Sequence, residues 1–572
     1  MNSLESPDWR LLARKFHTAL RLRPAVWLPL LGLLLYAAVL ARYSGACAGG
    51  SDSSGYLNNA RLLSHARLTM PMRRIPGLDP ASLPSYTHVP LGFIPNPDRM
   101  NMTPTYPMGL PLLVAATAGI VGWDMAPGLV IGLHALLGLA LMYWLGREFG
   151  LEAGWAWLGA LLLGANSLYL MMSLQLMSDV PATVWLSAAV LCAWKSRTHS
   201  QLALAAGIAL SIAVLVRPTN LLGVVPVGLA LGLARKSCSY RRGDDRSPAL
   251  DGGYGERSGI CGPARMLWTP GSAQACIERT LTPREARCET SGSGLRRWLL
   301  LIAGGLPGAV FLGFLNHAAY GSIFTTGYGG IGPMLSTAYV PTTLLQYAHW
   351  LPVLLTPLVV LSLGLPLLWR RQPMQTVLLT AWALVLLVFY SFYSVTHEDW
   401  WLLRFVLPAF PPLLVASLLV ARALAARFGL TIETRWFALA TVVILAYAGA
   451  CFRYFHVSSV RRQEWLYPET AAWMQTHLPA NALVASMQTS GALLYYTQFT
   501  FFRWDQLSPV DFQRIAGTCA AARIPIYAAL FPYEIEEDDW AAFRKHLGSG
   551  WTQIGAIRHV TIWRYDPIGV AP

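Results

Sequence analysis

The sequence predicts a polytopic α-helical membrane bundle of about eleven spans (range 11–13), followed by a small C-terminal α/β domain. Of the 572 residues, 54% are hydrophobic and only 13% are charged, whereas a soluble protein carries about a quarter charged residues. Apolar runs recur along residues 25–451, and the composition becomes that of a soluble domain from about residue 452. These observations exclude an ordinary soluble enzyme.

The predicted spans are apolar runs of about 17–25 residues, the length that crosses a bilayer as a helix. They lie at 25–42, 126–146, 153–171, 180–194, 202–217, 219–234, 298–315, 346–368, 375–394, 403–421 and 436–451. If a further run, 106–122, crossed the membrane, nearly all later Arg clusters would lie outside the cytoplasm. Because cytoplasmic loops are enriched in Lys and Arg, we expect this run to lie in or dip into the outer leaflet.

The same rule orients the chain. Residues 1–24 are predicted to be a cytoplasmic basic N-terminus without a cleavable signal, and residues 25–451 a transmembrane domain. The transmembrane domain contains a first extracytoplasmic loop, 43–125, and a polar cytoplasmic insertion, 235–297, without apolar periodicity. Residues 452–572 are predicted to form an extracytoplasmic α/β domain. The Arg-over-Lys bias favours a bacterial inner membrane as its location.

The C-terminal domain shows alternating helical and strand patterns. Helices are predicted at 467–477, 508–522 and 537–546, and strands at 482–486, 524–530, 551–557 and 559–564. We find no nucleophile–base set and no phosphate-binding loop in it. A cap or acceptor-binding role is favoured over a purely structural lid.

The net charge of +14 does not indicate a nucleic-acid partner, because the Arg residues cluster in short segments between apolar runs, where membrane orientation explains them. The eight cysteines form no CxxC pair, so neither a zinc site nor a disulfide framework is indicated.

Polar residues converge on the extracytoplasmic side of this predicted bundle. Ionisable groups at membrane depth are costly and usually face a cavity, so each is a candidate functional residue. The candidates are Asp52, Tyr56, Arg73, Arg74, His88 and Arg99 in the first loop, and Asp179, Arg217, His397, Glu398, Asp399 and Arg404 at the ends of later spans.

Each candidate also has a structural explanation. Asp52 lies in a segment of Ser and Gly residues, as turn and helix-cap residues do, and Asp179 precedes Val-Pro as an N-cap would. Arg217 and Arg404 can extend to lipid headgroups. The pattern alone leaves both explanations open.

The ordered set of motifs resembles polytopic glycosyltransferases of the GT-C type, including the protein O-mannosyltransferases (glycosyltransferase family 39) and the bacterial aminoarabinose transferase. The resemblance covers roughly residues 25–450. It is carried by Asp52 with Tyr56 and Ala60, the Pro-rich segment Thr103–Pro111, Ser178-Asp-Val-Pro181, Arg217-Pro218, the loop Asn316–Tyr328 and Arg404-Phe-Val-Leu-Pro408. Many relatives have Asp-Glu where this chain has Asp52-Ser53, and some have Lys in the Pro-rich segment where this chain has Thr.

The resemblance implies an inverting transfer from a polyprenyl-phosphate sugar to an acceptor hydroxyl on a glycan, lipid or protein. Asp52 would be the base, with a pKa that burial can raise, and Tyr56 would orient it. Arg217 and Arg404 would bind the phosphate, with Arg73, Arg74 and Arg99 in reserve. Asp179, His397 and Glu398 would contact the substrate. No cofactor is certain, but Glu398 and Asp399 are candidate ligands of a divalent cation.

Three other functions compete with this one. A transporter or flippase for a lipid-linked or anionic substrate also gathers charge in a membrane cavity, but typically shows internal repeats, which we do not find. A transferase that uses lipid diphosphate donors would show a clearer acidic metal set. A non-catalytic scaffold would act through its C-terminal domain.

Overall fold

A computed structural model describes residues 24–232, 292–330, 332–430, 433–535 and 537–566. The predicted N-terminal segment 1–24 therefore lies outside the described residues except for its last residue. The same holds for the predicted insertion 235–297, except that residues 292–297 form the start of a helix, Gly292–Tyr320.

A helix occupies each predicted apolar run within this range. In chain order the helices are α1 Pro24–Tyr43, α2 Ser51–Ser64, α3 Gly109–Val121, α4 Ala126–Glu148, α5 Ala153–Ala165, α6 Ser167–Ser173, α7 Asp179–Lys195, α8 Leu202–Val216, α9 Val224–Gly232, α10 Gly292–Tyr320, α11 Val340–Leu354, α12 Pro373–Ser391, α13 Phe410–Arg427, α14 Thr434–Tyr454, α15 Val460–His477, α16 Ser490–Tyr496, α17 Pro509–Ala521 and α18 Glu537–Leu547. The longer 3₁₀ segments are Pro218–Gly223, Pro357–Leu368 and Trp400–Ala409.

In the part of the chain that the structure describes, five helices are long and apolar enough to cross a membrane, or up to seven if two bent helix pairs each count as one span. The first pair, α5 and α6, bends by 64°, and the second, Thr337–Leu354 with Pro357–Leu368, bends by 110°. The Asn166 amide donates to the Leu354 carbonyl at 2.7 Å and so joins the two breaks.

The run at 106–122 forms α3, which has 13 residues. At about 1.5 Å per residue it is roughly 20 Å long, short of the about 30 Å hydrocarbon core. Other apolar helices, such as α8 with 15 residues, are also short. The number of spans therefore stays a prediction.

The C-terminal residues form a mixed five-stranded sheet with helices against it. Its strands are β4 Leu483–Ala485, β5 Thr500–Phe502, β6 Ile526–Leu530, β7 Trp551–Ile557 and β8 Val560–Tyr565, in the order β5-β4-β6-β8-β7. Strand β4 pairs in parallel with β5 and β6, and β8 pairs antiparallel with β6 and β7. Every predicted element is present. Helix α16 and strand β5 were not predicted, because both are short.

The first loop packs onto this C-terminal sheet. It forms a small antiparallel sheet of its own, with β3 Asn101–Pro104 between β1 Met70–Pro71 and β2 Phe93–Pro95. Side chains from the loop, such as Val89 and Phe93, lie in the same hydrophobic core as C-terminal residues such as Phe501. Helix α2 lies where these two parts meet, and it carries Asp52.

Candidate active site

Asp52 is in the first turn of α2. A carboxylate is favoured there by the partial positive charge of a helix N-terminus. Most of the next two turns is buried, from Ser53 to Ala60, so the helix cannot rotate without exposing apolar surface. The buried turns therefore fix the direction in which the Asp52 side chain points.

Two side chains hold the Asp52 carboxylate. Arg404 Nη2 donates to Asp52 Oδ2 at 2.9 Å, and the Tyr106 hydroxyl donates to Asp52 Oδ1 at 2.6 Å. Despite these contacts the Asp52 side chain keeps 23% of its surface exposed. The carboxylate is thus oriented by two donors, while part of the side chain stays exposed.

Burial raises the pKa of Asp52, but the charge of Arg404 and the hydrogen bonds from Tyr106 and Arg404 outweigh it, so the pKa lies below its ordinary value. This contradicts the expectation of a raised pKa. The reason is that the sequence placed Arg404 on a phosphate, whereas the structure places it on the carboxylate itself.

Arg404 lies on the 3₁₀ segment Trp400–Ala409 and is buried. Its Nη1 atom contacts Met177 Sδ at 3.4 Å, and its Nε atom is buried without a hydrogen-bond partner. A guanidinium has five N–H donors, so Arg404 can hold Asp52 and still donate to a ligand.

A second Asp–Arg pair lies beside the first. Arg217, which follows α8, approaches Asp179 Oδ1 of α7 through Nη1 at 2.8 Å, and the Asp179 side chain is only 2% exposed. The two atoms are close enough for an ion pair, but their angles do not fit a hydrogen bond. The Asn220 amide donates to the carbonyls of Ala182 and Ala213 and so fastens the two helices beside the pair.

Phe405 joins the two pairs. Its ring centroid lies 5.1 Å from Arg217 Cζ and 5.3 Å from Arg404 Cζ. Cations within about 6 Å of an aromatic ring are attracted to its face. The two guanidinium groups are therefore held on one shared ring, next to two carboxylates.

Aromatic side chains line the rest of the cluster. The Tyr106 ring lies 4.9 Å from that of Tyr56 and 6.2 Å from that of Tyr328, measured between centroids. On the other side Tyr390 stacks on Phe405 at 5.7 Å. These rings present flat apolar faces beside the charged groups.

The structure brings five of the predicted site residues together, namely Asp52, Tyr56, Asp179, Arg217 and Arg404. The tyrosine that contacts Asp52 is Tyr106, however, while Tyr56 packs behind it with its hydroxyl near Ser178. Neither arginine reaches out to lipid headgroups. The N-cap of α7 is Ser178, so the N-cap interpretation of Asp179 is wrong.

The first-loop arginines that were alternative candidates for binding the phosphate make other contacts. Arg73 donates to the carbonyls of Leu494 and Phe499 in the C-terminal region. Arg74 contacts Met100 at an exposed position, and Arg99 donates to carbonyls of its own loop, those of Ala81 and Leu83. His88 lies buried against the Phe501 carbonyl. These contacts stabilise the loop and its junction with the C-terminal sheet.

The segment predicted to bind sugar or metal has other contacts too. Asp399 accepts a hydrogen bond from the Trp400 amide at 2.6 Å and caps the segment that carries Arg404. The His397 ring stacks on Tyr339 at 4.9 Å. Among the residues described, no group of three or more His, Cys, Asp or Glu side chains could hold a metal ion, and Glu398 and Asp399 as ligands stay an untested prediction.

Three aromatic residues of the site are not among the predicted site residues, namely Tyr106, Tyr328 and Phe405. Two features of the sequence point to them. Tyr106 stands in the Pro-rich segment that carries the family resemblance, and Phe405 directly follows Arg404. Tyr328 ends the loop Asn316–Tyr328, which was identified without a role for its aromatic residue.

Part of this cluster lies in a stretch of the chain that matches a known family. Residues 129–234 match the model of the family described as dolichyl-phosphate-mannose-protein mannosyltransferase. This stretch contains Asp179 and Arg217, and the match confirms the resemblance to protein O-mannosyltransferases there. No significant match is found among curated proteins.

Three solved structures are similar over most of the chain. They are ArnT from Cupriavidus metallidurans bound to undecaprenyl phosphate (13% identity, TM-score 0.49, 96% of this chain and 99% of that one), the Archaeoglobus fulgidus oligosaccharyltransferase tethered to an acceptor peptide (12%, 0.47, 92% and 73%) and the arabinofuranosyltransferase AftD from Mycobacteria (12%, 0.45, 94% and 40%).

Proposed function

We propose that this protein is a membrane glycosyltransferase that transfers a sugar from a polyprenyl phosphate to an acceptor hydroxyl on the extracytoplasmic side, with inversion at the anomeric carbon. One observation carries the proposal. An accessible carboxylate, Asp52, is oriented by Arg404 and Tyr106 beside a second guanidinium, Arg217. A base and cations within one cluster are what displacement of a phosphate from a sugar requires.

Asp52 is the base in this proposal. The acceptor oxygen attacks the anomeric carbon, its proton moves to the free side of the Asp52 carboxylate, and the bond from the anomeric carbon to the phosphate oxygen breaks. The lowered pKa of Asp52 keeps the carboxylate ionised at neutral pH. Proton transfer then follows formation of the new bond, because the attacking hydroxyl becomes strongly acidic only as that bond forms.

The arginines stabilise the leaving phosphate, which keeps the electron pair of the broken bond and gains negative charge. Arg404 Nε and Arg217 Nη1 are buried N–H groups without a well-aligned acceptor, and a preorganised donor of this kind is typically worth a few kcal/mol in a transition state. When Asp52 takes up the proton it loses its charge. The charge of Arg404 is then available to the phosphate at the moment when the phosphate needs it.

The test uses purified protein in proteoliposomes with a panel of polyprenyl-phosphate sugars and a crude envelope extract as the source of acceptor. Release of free polyprenyl phosphate is measured for wild type and for Asp52→Asn. We expect release by wild type from at least one donor, and a loss of at least about 100-fold in the variant, as removal of a general base produces. Release within about threefold of wild type would remove Asp52 from this role.

A transporter is the second candidate, because two helix pairs are broken at 64° and 110°, and broken helices form the substrate sites of many transporters. The same proteoliposomes separate the two functions. A transporter would move the intact lipid-linked sugar across the bilayer without releasing polyprenyl phosphate.

A further inference from the structure

Glu464 is a buried carboxylate that the proposed reaction does not use. It lies in α15, which follows the last apolar helix and leads into the C-terminal sheet, and only 9% of the residue is exposed. A buried carboxylate is costly unless it interacts with charges or hydrogen-bond donors. Its surroundings therefore indicate what it does.

The turn that precedes α2 wraps around Glu464. A Cβ atom at Gly49 would lie 2.0 Å from Glu464 Oε2, and one at Gly45 would lie 3.0 Å from Glu464 Cβ. Between them the Cys47 thiol donates to the Glu464 carbonyl at 3.4 Å. Residue 49 must be glycine for the carboxylate to stand where it does.

The carboxylate lies at the start of α2, where a Cβ atom at Gly50 would be 3.9 Å from Glu464 Oε1, and it faces the Gly50 amide and the Ser53 hydroxyl. Gly50 is the N-cap residue and offers no side-chain cap. Ser53 Oγ and Glu464 Oε2 are both buried, and neither has a well-aligned hydrogen bond. Glu464 thus supplies, from more than 400 residues away in the chain, hydrogen-bond acceptors for the N-terminus of α2, whose first N–H groups have no partner within the helix.

The C-terminal region also fastens the rest of α2. The Asn58 amide donates to the Gly491 carbonyl at 2.9 Å, and Arg61 Nη1 donates to the Tyr495 carbonyl at 2.8 Å. Just before the helix, the Ala48 amide donates to the Tyr496 hydroxyl at 3.0 Å. One side of α2 is held by α15 and α16, while Asp52 points to Arg404.

We propose that Glu464 is a positioning residue, which fixes the first turn of α2 so that Asp52 meets Arg404 and Tyr106. The C-terminal region would then be part of the catalytic apparatus because it holds the helix of the base. This inference rests on the proposed function for its effect on transfer, but its effect on the helix can be measured without any substrate.

The test compares Glu464→Gln with Glu534→Gln. Glu534 is a second buried carboxylate of the C-terminal region and accepts hydrogen bonds from the Phe531 amide and the Trp504 indole. Removing either charge perturbs the same part of the protein, but only Glu464 lies against α2. Glu534→Gln therefore controls for a general loss of stability.

For Glu464→Gln we expect kcat for polyprenyl-phosphate release to fall about tenfold while KM for the donor stays within about twofold, because the amide offers one acceptor oxygen where the carboxyl group offers two. Glu534→Gln should keep kcat within about twofold of wild type. Gly49→Ala, which displaces the carboxylate from the other side, should reproduce the loss, and combining it with Glu464→Gln should add little.

Hydrogen–deuterium exchange gives the readout that needs no activity. Amides at residues 51–56 should exchange at least about tenfold faster in Glu464→Gln than in wild type, and remain unchanged in Glu534→Gln. Equal exchange in the two variants, or an equal kcat, would overturn the inference. If wild type released no polyprenyl phosphate while exchange changed as expected, the proposed function would fail and the positioning of α2 would stand.

Discussion

The two Asp–Arg pairs of the site have the same chemistry and nearly the same length, 2.9 Å for Asp52–Arg404 and 2.8 Å for Asp179–Arg217. They differ in what surrounds them. The Asp52–Arg404 pair joins residues 352 positions apart, and the Asp52 side chain is 23% exposed. The Asp179–Arg217 pair joins the first residue of α7 to the residue that follows α8, and the Asp179 side chain is 2% exposed.

This difference separates the roles of the two acids. Asp179 is buried at the start of α7, where its ion pair with Arg217 joins α7 to the end of α8. Asp52 is already accessible, and its pair forms only when the first loop and the segment Trp400–Ala409 come together. Accessibility, rather than charge or pairing, distinguishes the acid that can react from the acid that supports it.

The largest expected effect comes from breaking each pair in turn. Asp52→Asn should lower transfer by at least about 100-fold and should destabilise the protein less than Asp179→Asn, because solvent reaches the Asp52 end of its pair and screens the charges. Asp179→Asn should instead destabilise the protein by about 3–5 kcal/mol, because it leaves Arg217 as a buried charge without its partner. Thermal unfolding in detergent and polyprenyl-phosphate release measure the two quantities on the same preparations.

Double variants sharpen this comparison. Asp179→Asn with Arg217→Met should recover most of the lost stability, since removing both charges ends the desolvation cost. Asp52→Asn with Arg404→Met should recover no transfer. A double variant of the buried pair as unstable as Asp179→Asn alone would mean that the pair is not what joins the helix ends.

Much of the fold could be predicted from the sequence, because apolar length and periodicity report directly on burial in a membrane. The helices of the bundle follow this signal. The main elements of the C-terminal sheet follow instead from the alternating helical and strand patterns of a soluble domain. The two helix breaks do not, since Asn166 and Leu354 meet only in the folded chain. The number of spans depends on such breaks, which is why composition alone does not determine it.

The site could be predicted only in part, for a similar reason. Sequence reasoning selected Asp52, Asp179, Arg217 and Arg404 as costly ionisable groups near the membrane, but it had no means to decide which acid pairs with which arginine. Glu464 carried no signal at all, because it lies in a soluble-like helix. The resemblance left a partner acid of Asp52 open, and the structure places Glu464 against Ser53.

The pH dependence of stability tests the burial of Glu464, which lies against the helix that carries Asp52. Burial raises the pKa of Glu464 to about 7 from an ordinary value of 4.5. The folded protein therefore binds more protons than the unfolded chain between these pH values, and its stability must fall as pH rises through that window. Glu464→Gln should remove this part of the fall, on the order of 2–3 kcal/mol between pH 5 and 8, as measured by thermal unfolding.

Neighbouring groups do not obscure this difference. The pKa of Asp52 is lowered and those of the Cys47 thiol and the Tyr467 hydroxyl are raised, so none of them titrates between pH 5 and 8. The pKa of buried His88 is lowered to about 4, which opposes the trend in wild type and variant alike. The pKa of Glu534 is also raised to about 7, and because Glu534 is present in both wild type and Glu464→Gln, its contribution cancels in the comparison. Parallel curves for wild type and Glu464→Gln would show that Glu464 is not buried as described.

The smallest expected effect concerns Tyr106, whose hydroxyl donates a hydrogen bond to Asp52. The Tyr106 ring fits between Gly55 and Gly92, where added Cβ atoms would lie 2.3 and 2.9 Å from it, so Tyr106→Phe removes the hydroxyl and keeps the packing. A hydrogen bond to a charged group is worth about 1.5 kcal/mol at the low end of its range, which is about tenfold in rate, and Arg404 still orients the carboxylate. We therefore expect kcat to fall about tenfold, measured as release of polyprenyl phosphate at saturating donor.

Tyr56→Phe is the matched control, because Tyr56 packs against Tyr106 but its hydroxyl lies near Ser178 and not on Asp52. Its kcat should stay within about threefold of wild type. The Tyr106 hydroxyl also helps to lower the pKa of Asp52, so in Tyr106→Phe the loss of activity on acidification should begin at higher pH than in wild type. Equal kcat values and pH profiles for the two variants would mean that Arg404 alone orients the carboxylate, and the two pairs would then differ only in their exposure.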